Sequence, residues 1–181
     1  MSNAVNLGLG KVAGMFFHAP EKTALPVSPF DELGDEFKEV GYVSEDGPSW
    51  TPYGSTEVIR DWSRTLRRRF STEKGSVSVP VISTTAESLK TVFGAANVTT
   101  TAATAQHGQI VKVDTKNGPD STKEAFVLIG EDAEDGLLLM TDSGMITDIA
   151  EVGLAPNGAI IWNITIEGDW QFVKDDGQKT S

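Results

Sequence analysis

The sequence predicts a mainly β domain with one short helix, carrying extended arms and loops. Turn dipeptides recur along the chain, the stretches between them alternate apolar and polar residues, and a single stretch has convincing helical spacing with caps at both ends. The dipeptides are Asp46-Gly47, Asn117-Gly118, Asp135-Gly136, Asn157-Gly158 and Asp176-Gly177. Glycine enters positive φ without a Cβ clash, which is what tight hairpins require.

Taken in order, residues 1–10 are polar or glycine-rich and read as an N-terminal arm. The domain is expected over 11–170, and 171–181 as a C-terminal tail. Met15-Phe16-Phe17 places large apolar side chains on both sides of a pleat, so that strand should be covered twice. The cover is either the chain's own core or a second subunit. Asp31 to Glu39 holds Leu33 and Phe37 on one helical face, though a loop with a helical turn fits equally well. A long loop is expected over 44–74. Val77, Val79 and Val81 alternate with Ser76, Ser78 and Pro80, the pattern of a half-buried strand, and Pro80 lacks a backbone donor, which favours an edge or a bulge.

The helix is expected over about 85–94. Thr84 and Glu87 have the spacing of a capping box, Leu89, Val92 and Phe93 share a face, and Gly94 suits the C-terminal cap. Thr99 to Ala105 is all Thr and Ala, a loop or edge segment. Gln109–Asp114 and Glu124–Ile129 read as two arms of a hairpin around the polar loop 115–123. Leu137 to Met140 is another doubly apolar strand, and Asp142-Ser143-Gly144 would turn it back into Met145–Ile149. Ile160, Trp162, Ile164 and Ile166 alternate with a mostly polar face.

The chain has 181 residues, enough for one domain with its own core. Cysteine is absent, which removes disulfides, thiolate metal sites and thiol nucleophiles and suits a cytoplasmic assembly compartment. No secretory signal pattern and no apolar run of about 20 residues is present, so a soluble intracellular protein without a membrane role is expected. The net charge of -11 repels phosphate and argues against DNA binding as the main task.

The charge is unevenly distributed. Residues 60–74 hold Arg60, Arg64, Arg67, Arg68, Arg69 and Lys74 against Asp61 and Glu73, while Asp31 to Asp46 holds Asp31, Glu32, Asp35, Glu36, Glu39, Glu45 and Asp46 against Lys38. Neighbours on a strand alternate sides, so Arg67, Arg68 and Arg69 cannot share one face. The run reads as a solvated edge, as a weak nucleic-acid patch, or as a contact with an acidic segment of another subunit.

Chemistry has little material. The only histidines are His18 and His107. Asp142-Ser143-Gly144 resembles the aspartic-protease signature, whose mechanism needs two carboxylates sharing a proton, and a single copy exists here. Glu131 to Gly136 is acidic but puts Ala133 where a calcium loop needs a ligand. Dinucleotide, phosphate-loop and nucleophile-elbow patterns are missing. No catalytic, cofactor-binding or metal residue is expected, and no enzyme. The candidate self-assembly contacts are Phe16, Phe17, Trp50, Trp62, Arg64, Arg67, Arg68 and Arg69.

Three stretches in order resemble the major tail protein (tail tube protein) family of long-tailed, siphovirus-type bacteriophages. They are Gly10-Lys11-Val12-Ala13-Gly14-Met15-Phe16-Phe17-His18-Ala19-Pro20 with Leu25-Pro26, then Phe37-Lys38-Glu39-Val40-Gly41-Tyr42-Val43-Ser44-Glu45-Asp46-Gly47, then Glu87-Ser88-Leu89-Lys90-Thr91-Val92-Phe93-Gly94 followed by Asn97-Val98-Thr99. The resemblance implies a β-sandwich or half-barrel flanked by a helix, with hexameric rings that stack into a tube. It implies as partners the chain itself, a tape measure protein, tail terminator and distal tail or baseplate proteins, and double-stranded DNA that passes through the lumen without specific binding. It implies the virion tail as the site of action, with assembly in the host cytoplasm and no cofactor. Two alternatives stay open: the tube of a contractile tail or injection system, and a free-standing β-sandwich that binds a ligand through exposed aromatics such as Trp50, Tyr53 and Trp62.

Overall fold

The computed structural model describes residues 15–54, 56–60, 66–70, 74–118, 120–132, 135–154 and 160–177. Its main sheet is organised by the two strands that are apolar on both faces. β1 (Met15–Pro20) pairs antiparallel with β2 (Lys38–Tyr42) on one side and with β9 (Glu124–Asp132) on the other. β9 forms a hairpin with β10 (Asp135–Ile149), where Asp135 and Gly136 lie opposite Asp132 and Glu131, so the Asp135-Gly136 dipeptide opens the second strand and is not itself the turn.

β10 is 15 residues long and carries two partners end to end along its second edge. Gly144 to Ile149 pair with β11 (Trp162–Gly168), and Gly136 to Met140 pair with β12 (Gln171–Asp175). β11 continues to β6 (Gly75–Val81), and β6 to the short β3 (Ser49–Thr51). The order is therefore β2-β1-β9-β10-β11-β6-β3, with β12 beside β10.

The two ends of this sheet meet. Val43, just after β2, bridges Val81 of β6, and the bridge is flanked by Ser44 N–H donating to Pro80 O at 2.8 Å and Ile82 N–H donating to Tyr42 O at 3.0 Å. The sheet thus curls until it nearly closes on itself, which satisfies backbone groups that an open edge would leave bare. Pro80 sits where a strand without a full donor set can sit. β3 covers only Ser76 to Ser78 on that side, and Pro80 itself needs only to accept.

Alternation then sorts the side chains. Phe16, Phe126, Leu128, Val77, Val79, Val81, Ile164 and Ile166 point to one common core, where the rings of Phe16 and Phe126 stack at 5.7 Å. The helix α1 (Ala86–Phe93) adds Val92 to this core, and Phe93 meets Trp162 edge-on at 5.4 Å. On the opposite face Met15, Phe17, Val127, Ile129, Leu138 and Met140 form a second cluster, covered by Leu25, Leu33, Phe37 and Val173. Both faces of the doubly apolar strands are thus covered from within one chain. Two hairpins stand apart from the main sheet: β4 (Thr56–Arg60) with β5 (Leu66–Phe70), and β7 (Val98–Thr101) with β8 (Ile110–Val113).

Several expectations shift. The capping box uses Thr85 and Ser88, one residue beyond the predicted Thr84 start. Of the two readings of Asp31 to Glu39 the loop holds, with Phe37 N–H bonded to Gly34 O and Lys38 and Glu39 already in β2, and Leu33 and Phe37 pack over the second cluster. Ile110–Val113 pairs with β7 instead of Glu124–Ile129, since β9 is already held on both edges by β1 and β10. Asp142-Ser143-Gly144 is a bulge inside β10, with a register shift against β9 between Thr141 and Gly144, and does not reverse the chain. Gln171–Asp175, expected in a tail, is a sheet strand. Residues 1–10 and Asn157-Gly158 lie outside the described residues.

Candidate assembly surfaces

A cleft of about 410 Å³ opens between α1 and the ends of β1 and β9. Its ionisable side chains face one another, though His18 Nε2 is buried without a hydrogen-bond partner. His18 Nδ1 lies 3.1 Å from Glu124 Oε2, its Nε2 lies 3.5 Å from Glu87 Oε1, and Glu87 also meets Lys90 at 3.6 Å. The lining hydroxyl of Thr91 donates to Glu87 O and that of Thr122 to Asp120. The cluster ties strand, strand and helix together. Among the described residues no group of three or more His, Cys, Asp or Glu could hold a metal ion. Asp142 is exposed, its motif occurs once in the sequence, and its backbone carbonyl accepts from Lys22 N–H. Among the described residues no helix is long and apolar enough to cross a membrane.

The surface offers edges and charge instead. Trp50 on β3 is 38% exposed and stacks on Phe172 of β12, itself 52% exposed, with ring centroids 6.1 Å apart. Tyr53, just beyond β3, and Tyr42, at the end of β2, are exposed as well. Phe172 is the aromatic that sequence reasoning missed, because a five-residue strand shows too little alternation to stand out from a tail.

The candidate contacts separate into three groups. Phe16 and Phe17 are buried in the two clusters of the protomer itself, so neither side chain is presented to a neighbour in this structure. Trp50 is at the surface. Arg67, Arg68 and Arg69 occupy β5 opposite Ile59, Val58 and Glu57 of β4, so the arginine run is one arm of a hairpin inserted between β3 and β6. Trp62 and Arg64 lie outside the described residues. In the acidic segment Asp31, Glu32, Asp35, Glu36, Glu39, Glu45 and Asp46 are all exposed. Asp31 is partly occupied, accepting from the backbone N–H of Val27 and Ser28.

Comparison with known proteins completes the site. Curated proteins give no match. Among solved structures, the chain is similar to one described as "Cryo-EM Structure of an Extracellular Contractile Injection System, PVC sheath-tube complex in extended state", at 11% identity and a TM-score of 0.32, covering 97% of this chain and 99% of that one. So distant a likeness bears on neither fold nor role. The family model described as "Phage tail tube protein" matches residues 8–169. Matched by this model over most of its length, the chain belongs to the phage tail tube protein family, a structural component of the virion tail.

Proposed function

We propose that copies of this chain form hexameric rings that stack into the tube of a long, non-contractile, siphovirus-type tail, the conduit through which the genome enters the host. The observation that carries the reading is membership of the tail tube family over residues 8–169. Physical features support it. The acidic chain has a net charge of -11, and a conduit of like charge to DNA lets the genome pass without holding it. The strand that carries Arg67, Arg68 and Arg69 and the exposed acidic segment Asp31 to Asp46 are opposite in charge, which supports a contact between copies. Heterologous contacts of this kind close into rings or extend into filaments. A tape measure protein would fill the tube during assembly in the host cytoplasm. Tail terminator and distal tail or baseplate proteins would then cap its ends.

Electron microscopy of the purified protein at rising concentration tests the proposal. Rings with sixfold symmetry and hollow stacks are expected. A monodisperse monomer under all conditions would overturn it.

A further inference from the structure

Asn97 is a buried clamp. Its Nδ2 donates to Phe93 O, at the end of α1, at 2.8 Å and to Gly118 O, beyond β8, at 2.9 Å, while its backbone carbonyl accepts from Asp114 N–H at 2.8 Å. The residue is 6% exposed and its Oδ1 is buried without a partner, so the carboxamide has nothing to spare if either acceptor moves. One of those acceptors belongs to the Asn117-Gly118 dipeptide.

Asn117 is exposed, and no hydrogen bond among the described residues holds its carboxamide. Gly118 has no Cβ, and nothing stands within 4 Å of where one would be, so the path from its amide nitrogen to Asn117 Cγ is open. The restraint on that nitrogen is Gly118 N–H donating to Thr115 O at 3.2 Å. This is the long end of the hydrogen-bond range, in a solvent-facing turn of the kind that opens locally. The other described asparagines lack this combination. Asn97 is buried, bonded and followed by Val98. Asn163 is exposed, but it lies within β11 and precedes Ile164, whose branched Cβ crowds the nitrogen.

We infer that Asn117 is a site of spontaneous covalent modification, and that the modification unlocks the Asn97 clamp. Hydroxide takes the Gly118 amide proton, and the nitrogen attacks Asn117 Cγ, forming the C–N bond of a cyclic succinimide. The Cγ–Nδ2 bond breaks, and the leaving nitrogen takes a proton from water to depart as ammonia. Water then opens the ring at either carbonyl, giving aspartate or isoaspartate with no oxidant or cofactor. Both products add a negative charge. Isoaspartate also routes the backbone through the side-chain carbon, which lengthens the link between residues 117 and 118 and carries Gly118 O away from Asn97 Nδ2. The reaction needs only a single protomer, so it stands apart from the tube reading.

Ageing of the purified full-length protein at mildly alkaline and mildly acidic pH tests it, beside Asn117→Ser and a synthetic peptide of residues 112–122 as the unfolded reference. Mass-spectrometric peptide mapping locates each product, and reads Asn157 of the second Asn-Gly pair separately. Asn117 is expected to convert faster at alkaline pH, as hydroxide rises, while Asn97 and Asn163 stay intact. Hydrogen exchange is the second measurement. The Asp114 amide of aged wild type should exchange roughly tenfold faster, the scale of one lost buried hydrogen bond, and that of equally aged Asn117→Ser should not. An Asn117 that survives while the peptide converts overturns the inference, because the turn then shields the nitrogen. Conversion with unchanged exchange overturns the coupling to the clamp.

Discussion

Gly144 of β10 lies directly opposite Gly168 of β11, and the row continues to Gly75 of β6, so three adjacent strands carry glycine at one level of the sheet. At that level β10 shifts register against β9, and the chain passes from β11 to β12. A Cβ at Gly144 would stand 2.9 Å from Phe126 Cδ2 and from Thr141 Cγ2, and one at Gly168 would stand 2.9 Å from Thr141 Oγ1 and 3.2 Å from Gly144 Cα. At this seam the strands and the Phe126 and Thr141 side chains approach so closely that a Cβ has no room.

Filling the seam should therefore be costly. Gly168→Ala is expected to lose about 1–3 kcal/mol, the usual range for overpacking, because backbone atoms of Ser143 and Gly144 cannot rotate aside as a side chain can. At this chain length that lowers Tm by several degrees, roughly 2–4 °C per kcal/mol. Gly153→Ala, where nothing lies within 4 Å, is the control and should change little. Thermal unfolding of the two variants decides it, and equal midpoints would mean the seam is slack.

The seam also shows why the fold was only partly legible. Val77, Val79, Val81 and their partners on β11 could be read because period-2 alternation over seven residues is a local signal. Asp142-Ser143-Gly144 misled because a bulge and a turn want the same residues. What keeps β10 running through it is pairing with β9 on one edge and β11–β12 on the other, contacts far away in sequence. The partner of β8 was missed for a related reason: Thr99 to Thr101 shows no alternation, so it could be read as a loop or an edge segment and gave no sign of which strand it would pair. Of the assembly surface, charge segregation could be read directly from composition. The burial of Phe16 and Phe17 could not, since apolar character says that a residue is covered and is silent about by which chain.

The helix start offers a one-residue discrimination. Thr85 Oγ1 accepts from Ser88 N–H at 3.1 Å, and Ser88 Oγ accepts from Thr85 N–H at 2.7 Å, a reciprocal pair with Ser88 fully buried. Thr85→Ala should cost about 0.5–2 kcal/mol, the usual value of an N-cap. Thr84 makes a different contact, accepting from the indole N–H of Trp162 at 3.2 Å in an exposed setting, so Thr84→Ala should cost less. Urea denaturation ranks the two. A larger loss at Thr84 would place the cap where the sequence spacing first suggested it.

Phe16 and Trp50 should separate folding from assembly. Phe16→Ala removes a fully buried ring stacked on Phe126 and should cost about 3–5 kcal/mol, a large share of the 5–15 kcal/mol that holds a typical domain together. Any defect in tube formation would then follow from the loss of the protomer. Trp50→Ala removes an exposed ring whose partner Phe172 is also exposed, so the protomer should keep cooperative unfolding at a smaller cost. If Trp50 is a contact between subunits, assembly should weaken nonetheless. Sedimentation of the folded variant reads this directly, and undiminished assembly would remove Trp50 from the interface.

The arginine hairpin carries the last prediction. β5 places Arg67, Arg68 and Arg69 in one strand, and seven exposed carboxylates lie between Asp31 and Asp46 on the same protomer. If the hairpin of one copy meets that acidic segment on another, changing all three arginines to glutamate turns attraction into repulsion at every such contact. Assembly should then fail at low salt and recover in part as salt rises, because the Debye length shrinks from about 10 Å at 0.1 M to about 3 Å at 1 M. Wild-type assembly should weaken over the same range, since screening acts on attraction as well as on repulsion. Light scattering across a salt series gives both curves. Parallel curves for the two proteins would show that the arginines face solvent, leaving backbone edges and Trp50 to hold the subunits together. Curves that converge with salt would assign them to the interface.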